Sequence, residues 1–137
     1  MAGRREAREQ ALQVLYQLDM AGSEPEWGRL HGPDDVQAFT RELVDGVRMN
    51  RERIDALIAG RSEHWRLPRL SRVDLSVLRL ATFELVGRPE IPHSVTLNEA
   101  VEIARRFGSE ESASFVNGVL DHIARQLAED RRARDGG

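Results

Sequence analysis

The chain contains no cysteine and no lysine; its 20 basic residues are all arginine, set against 23 acidic ones. Without cysteine there is no disulfide and no thiolate zinc site, a composition that fits a reducing cytoplasm. The absence of lysine reflects a uniform coding preference, so an arginine is not a nucleic-acid signal merely because it is arginine. A formal net charge of −3 argues against a protein that coats polyanions indiscriminately, and any RNA contact has to be one local patch. No apolar run approaches the roughly 18 residues of a membrane span, and the N-terminus lacks the apolar core of a signal peptide. A soluble cytoplasmic protein is expected.

Catalytic signatures are missing too. There is no H-E-x-x-H, no P-loop, no G-x-S-x-G and no dinucleotide fingerprint. The histidines do not supply a metal site: His31 lies in a glycine-flanked loop, His64 beside Glu63 and Trp65, His93 just after Pro92, and His122 beside Asp121. No two of them have ligand spacing on one helix face, so neither metal nor cofactor nor enzymatic activity is expected.

What is present is helical periodicity almost throughout, with no convincing strand and no internal repeat. At 137 residues and 40% apolar content the chain can form one domain, or two small helical subdomains sharing a core. A first helix is predicted from Arg5 to Met20, burying Ala7, Ala11, Val14, Leu15 and Leu18. Ala21 to Pro33 reads as a loop, broken by glycines and prolines, in which Trp27 is either an anchor or exposed. A second helix should run from Asp34 through Val47 on Val36, Phe39, Leu43 and Val47, and a third from near Asn50 toward Trp65. Pro68 marks the expected boundary between subdomains 1–67 and 68–130. Ser71 and Asp74 have the spacing of a helix cap, opening a helix to about Val86 whose Arg79 and Glu84 either pair with another helix or face water. Residues 131–137 are polar and glycine-rich and are expected to fray.

Val95 to Leu127 is the most informative stretch. Thr96 and Glu99 fit a capping box, Leu97, Ala100, Val101 and Ala104 recur at helical spacing, and Gly108 stands where a left-handed C-cap belongs. Asn117-Gly118 would suit a hairpin, but Val116, Val119, Leu120, Ile123 and Leu127 keep a period near 3.6. Gly118 therefore sits inside a helix, where it costs about 1 kcal/mol against alanine and suggests a close backbone approach. Asn117 beside it is read as architecture, hydrogen-bonding across that crossing.

Three segments together resemble the NusB family of bacterial antitermination factors. They are R-R-E-A-R-E-Q-A-L-Q-V-L-Y-Q at Arg4–Gln17, L-R-L-A-T-F-E-L at Leu78–Leu85, and V-T-L-N-E-A-V-E-I-A-R-R-F-G followed by F-V-N-G-V-L-D. Asn98-Glu99-Ala100 and Phe115-Val116-Asn117-Gly118 carry most of the weight. The resemblance implies a compact all-α bundle of six to seven helices. It also implies a non-enzymatic adaptor that holds boxA-type single-stranded RNA of ribosomal RNA operons. Its partners would be NusE, the small-subunit ribosomal protein, and the RNA polymerase antitermination complex. NusB-like domains also occur fused to RNA methyltransferases, but this length leaves no room for a methyl-donor domain.

The candidate site begins with Arg4, Arg5 and Arg8. At about 100° per residue Arg5 and Arg8 lie roughly 60° apart, at one edge of the apolar stripe. Cations at a helix start face the positive end of the macrodipole and cost a few tenths of a kcal/mol each, a broken rule with no compensation visible in the sequence. Taken alone, these residues read as a solvated helix start with Arg5 paired to Glu9; the resemblance implies boxA contact at all three. Guanidinium groups suit that task because they pair bidentately with phosphate and stack on bases. Phe115 is either a stacking platform for a base or a core residue, and Glu111 and Ser112 either border the RNA surface or are ordinary first-turn residues. Asp74 is a cap partner of Ser71, and the resemblance makes it a candidate contact for a protein partner. The alternative function is a helical protein-interaction or oligomerisation module without direct RNA binding. A homodimer would fit if Leu12 or Leu15 were exposed near the arginines.

Overall fold

A computed structural model describes residues 2–22, 24–61 and 70–136. Among them are six α-helices: α1 (Ala2–Ala21), α2 (Asp34–Met49), α3 (Arg51–Arg61), α4 (Arg72–Gly87), α5 (His93–Phe107) and α6 (Glu110–Gly136), with one 3-10 turn at Trp27–Arg29. The all-α class is as expected. No helix among the described residues is long and apolar enough to cross a membrane. Pro68, Trp65 and His64 lie outside the described residues.

The organising element is α4. Every residue from Leu75 to Leu85 is buried, because a helix apolar on all sides has to be surrounded. It packs against α1, α2, α3, α5 and α6, so one apolar core spans both halves of the chain. The two charged residues inside α4 need partners there, and both find them. Arg79 forks onto Asp55 of α3 at 2.8 and 3.0 Å and approaches Asp19 of α1 at 3.5 Å. Arg51 and Arg72 also reach Asp19, at 3.6 and 3.2 Å, tying the ends of α1, α3 and α4 together. Glu84, at the other end, meets Arg8 of α1.

Helix boundaries follow local chemistry. Ser71 caps α4 by accepting the Asp74 backbone N–H at 3.0 Å, as the spacing implied. α1 ends where Gly22 adopts φ +68° and donates its N–H to the Leu18 carbonyl at 2.9 Å, a left-handed stop that favours glycine. Trp27 proves an anchor: it packs against the core, with the Arg41 guanidinium 4.7 Å above its ring. Gln10 fastens the same loop by exchanging hydrogen bonds with the His31 backbone at 3.0 and 3.1 Å.

Several local readings are corrected. α5 begins at His93, so Thr96 is a buried residue of its first turn and forms no capping box with Glu99. Gly108 is not left-handed; its φ is −120°. The chain needs glycine there because α6 turns back at once, and a Cβ would press on Ser112 Oγ at 2.6 Å and on the Ala104 carbonyl at 2.8 Å. Gly118 faces open space, with nothing within 4 Å of an added Cβ, and Asn117 is exposed, so no tight crossing exists at that point. The close approach is at Gly46 of α2, where a Cβ would overlap the buried ring of Phe83. Residues 131–136 continue α6, since the arginine and alanine there are good helix formers and Gln126 hydrogen-bonds Asp130 at 2.9 Å just before them. Leu12 and Leu15 are buried, which removes the reason for expecting a homodimer through them.

Candidate nucleic-acid interface

The start of α1 lies in a groove between α2, α4 and α5. Gly3 permits this, because a Cβ would meet Val36 of α2 at 2.8 Å. The Thr40 hydroxyl of α2 donates to the Ala7 carbonyl at 3.2 Å and to its own Val36 carbonyl at 2.9 Å. Beside this contact the ring of Phe39 gathers three guanidinium groups, those of Arg4, Arg88 and Arg8, at 4.6, 5.2 and 5.7 Å from its centroid. An aromatic face attracts cations through its quadrupole, which holds these arginines side by side despite their like charge.

The three predicted arginines separate into different roles. Arg8 is 3% exposed and forks onto Glu84, Nε to Oε2 at 2.8 Å and Nη2 to Oε1 at 2.7 Å. Thr96 adds a longer contact to Glu84 Oε1 at 3.5 Å. The Arg8 guanidinium is thus enclosed by protein and offers no face to a strand. Arg4 is half-buried on Phe39. Arg5, with 48% of its side chain exposed, bonds Glu99 of α5 at 2.6 Å and not Glu9. That hydrogen bond, ahead of the surrounding carboxylates, lifts the Arg5 pKa further above its ordinary value. Arg5 is charged in any case, so what the contact adds is orientation. The unfavourable cations at the helix start are therefore compensated by Glu84 and Glu99, which only the folded chain brings near.

The rim continues along α5. Glu9 receives Arg106 at 2.7 and 2.9 Å, and Arg106 is itself 66% exposed. Glu99 and Arg106 are seven residues apart, hence on one face of α5. Arg88 sits at the opposite flank, tied to Glu42 and Glu90. Sequence reasoning singled out neither Arg88 nor Arg106. The Arg105-Arg106 doublet suits a helix C-terminus, which hid any further role.

A second feature joins Asp74, expected as a partner contact, to Glu111, Ser112 and Phe115, expected at the RNA surface. Asp74 with Leu70 and Ser71 at the head of α4, and Glu111, Ser112 and Phe115 with Ser109 at the head of α6, line an open cleft of about 270 Å³. Ser109 caps α6 by accepting the Ser112 N–H at 3.1 Å, which fixes the cleft's far wall. Phe115 is half-buried, packing on the core and also lining the cleft, so both readings of it describe the same ring. Asp74 Oδ1 is buried with no hydrogen-bond partner, an unsatisfied acceptor at the cleft. The arginine rim and this cleft are separate: Asp74 and Glu84 are ten residues apart on α4, about 15 Å along its axis.

Comparison with known proteins gives a consistent picture. The model of the NusB family matches residues 5–125. A transcription antitermination protein NusB from Myxococcus xanthus is 50% identical over 135 residues, covering 90% of this chain and 96% of that protein. A NusB structure from T. maritima superposes with a TM-score of 0.83 at 40% identity, over 89% of this chain and 90% of that one. A crystal structure of the antitermination factors NusB and NusE in complex with double-stranded RNA matches with a TM-score of 0.80 at 28% identity, covering 92% of this chain and 98% of its counterpart.

Proposed function

Because this chain belongs to the NusB family, we propose that it is a non-enzymatic RNA-binding adaptor of transcription antitermination, holding boxA-type single-stranded RNA of ribosomal RNA operons together with NusE. The observation that carries this reading is the exposed Arg5 on a rim that Phe39, Glu84 and Glu99 hold in place. Arg4 and Arg5 present guanidinium groups to the strand, and Arg8 keeps the first turns of α1 seated. Arg106 extends the same cationic line along α5. Phe115 offers a half-buried ring for base stacking, bordered by Ser112 and Glu111, and a stacked base contributes about 1–3 kcal/mol.

The cleft supplies the second half of the mechanism. Asp74 lines this open cleft together with Ser71 and Ser112, and the cleft receives a segment of NusE. RNA held weakly by two arginines becomes firmly bound once a second protein encloses the same strand, because the effective concentration of each binding group rises. The assembly then travels with the RNA polymerase antitermination complex in the cytoplasm.

The test is a titration of boxA-type RNA against the wild type and an Arg4→Ala/Arg5→Ala variant, with and without NusE, over a range of salt. Phosphate binding by these arginines predicts weaker affinity in the variant and a log K versus log salt slope shallower by about 0.7 for each phosphate of the single strand left without its arginine. NusE should tighten binding of the wild type. An unchanged slope overturns the reading and leaves a protein-interaction module; a scrambled strand competing as well as boxA overturns boxA recognition and leaves only nonspecific charge.

A further inference from the structure

The ion-pair network that ties α1, α3 and α4 together borders a cavity of about 210 Å³. It lies at the end of the bundle away from Arg4 and Arg5, because Asp19, which lines it, follows Arg5 by about 21 Å along α1. Its floor is apolar, made by Leu15 and Leu18 of α1 and Val47 of α2. Its walls carry Arg48 of α2, Arg51 of α3 and Arg79 of α4, together with Asp19 and Glu24.

The cations at this cavity are only partly answered. Arg79 gives Nε and Nη2 to Asp55 at 2.8 and 3.0 Å, but its Nη1 stands 3.5 Å from Asp19, at the outer limit of a hydrogen bond. Arg51 gives Nε to Asp55 at 3.2 Å and leaves Nη2 3.6 Å from Asp19. Asp19 accepts from Arg72 instead, at 3.2 Å. Arg48 holds Glu24 at 3.0 Å, and Glu24 is 81% exposed. With Arg72 and Asp55 included, four arginines meet three carboxylates, an excess of one positive charge. Asp45 and Glu52, the other acids nearby in sequence, do not line the cavity.

Ser76 is an independent sign of a ligand. It lies three residues before Arg79 and four after Arg72, hence on their face of α4. The residue is 2% exposed and lines the cavity, yet its hydroxyl makes no hydrogen bond among the described residues. A buried helical hydroxyl can return to the carbonyl one turn back, as that of Thr40 does in α2. The Ser76 hydroxyl does not, and the space beside it is the cavity.

We infer that this cavity binds a phosphate group, held by Arg51, Arg79 and Ser76, with Arg48 at its side. The donors select that class: guanidinium nitrogens and a hydroxyl match the oxygens of a tetrahedral oxyanion, and one surplus positive charge is offset by one anion. The phosphate replaces the two long contacts of Asp19 and leaves its hydrogen bond to Arg72 in place. The site does not depend on the RNA-binding reading.

The experiment is calorimetric titration of the full chain with inorganic phosphate, at an ionic strength held constant with chloride. It compares wild type, Ser76→Ala, Arg51→Gln and Arg4→Ala/Arg5→Ala, each checked for native helicity. The wild type should bind one phosphate saturably. Ser76→Ala removes a hydroxyl without a protein partner, so it should fold normally and bind about threefold to tenfold more weakly; Arg51→Gln should lose about tenfold or more. Arg4→Ala/Arg5→Ala should bind as the wild type does. Absence of saturable binding, or binding that Ser76→Ala and Arg51→Gln leave unchanged, overturns the site. Binding lost in Arg4→Ala/Arg5→Ala alone places the anion on the rim and overturns it too. A 5′-phosphorylated RNA dinucleotide, run beside its unphosphorylated form, separates the two sources of the group. If it binds more tightly than inorganic phosphate and Ser76→Ala weakens it, the site takes the end of an RNA strand; if it binds no more tightly, the site takes free phosphate.

Discussion

Arg8 and Arg5 are three residues apart on one helix, carry the same charge and each pair with a glutamate, yet they belong to different parts of the molecule. Arg8 lies on the inner face, where a forked pair with Glu84 is closed off from water. Arg5 lies on the outer rim, where its pair with Glu99 is open to solvent and to competing anions. The inner pair is structural because separating it leaves an uncompensated charge in a low dielectric. The outer pair is exchangeable, because water or phosphate can replace the carboxylate at little cost. Charge type alone does not distinguish a binding residue from a building one; exposure does.

The comparison is most readily broken from the inner side. Arg8→Ala should destabilise the fold by about 3–5 kcal/mol in chemical denaturation, since it strands Glu84. A loss under about 1 kcal/mol would show the buried pair to be no different from a surface one. Replacing both partners, Arg8→Met with Glu84→Leu, should restore most of that stability and leave RNA binding through Arg4 and Arg5 in place.

The glycines offer the same contrast at smaller cost. Gly46→Ala drives a methyl into Phe83 and should destabilise by about 1–3 kcal/mol. Gly118→Ala fills open space on an exposed helix and should stabilise by up to about 1 kcal/mol in thermal melts; a loss there would restore the crossing that the fold lacks.

Arg5→Ala should change stability by less than about 1 kcal/mol while weakening RNA binding, the reverse of the Arg8→Ala profile. The smallest effect concerns His93. Burial, followed by the positive charge of Arg131, holds its folded pKa below the ordinary 6.5, so between the two values the unfolded chain binds more protons than the native one. Stability is therefore full above 6.5 and declines as pH falls toward the folded value; His93→Gln should flatten this stretch of the stability curve.

The sequence was most legible where interactions are local. Ser71 with Asp74 capped α4 as its spacing implied, and apolar residues at helical spacing located buried positions of α1, α2 and α6, among them Ala7, Leu43 and Ile123. Gly108 and Thr96 misled because one motif spacing suits several geometries, and the early return of α6 selected among them. Gly46 gave no signal at all, since the ring that requires it belongs to residue 83.

By itself the sequence determined the helices, the absence of thiol chemistry and the family, all of which follow from neighbours within a few residues of one another. Only the tertiary structure decided which arginine is buried and which carboxylate answers it. The Arg8–Glu84 and Arg5–Glu99 pairs join positions 76 and 94 residues apart. No local pattern encodes such pairs, because the cost of burying a charge is set by what the folded chain packs around it.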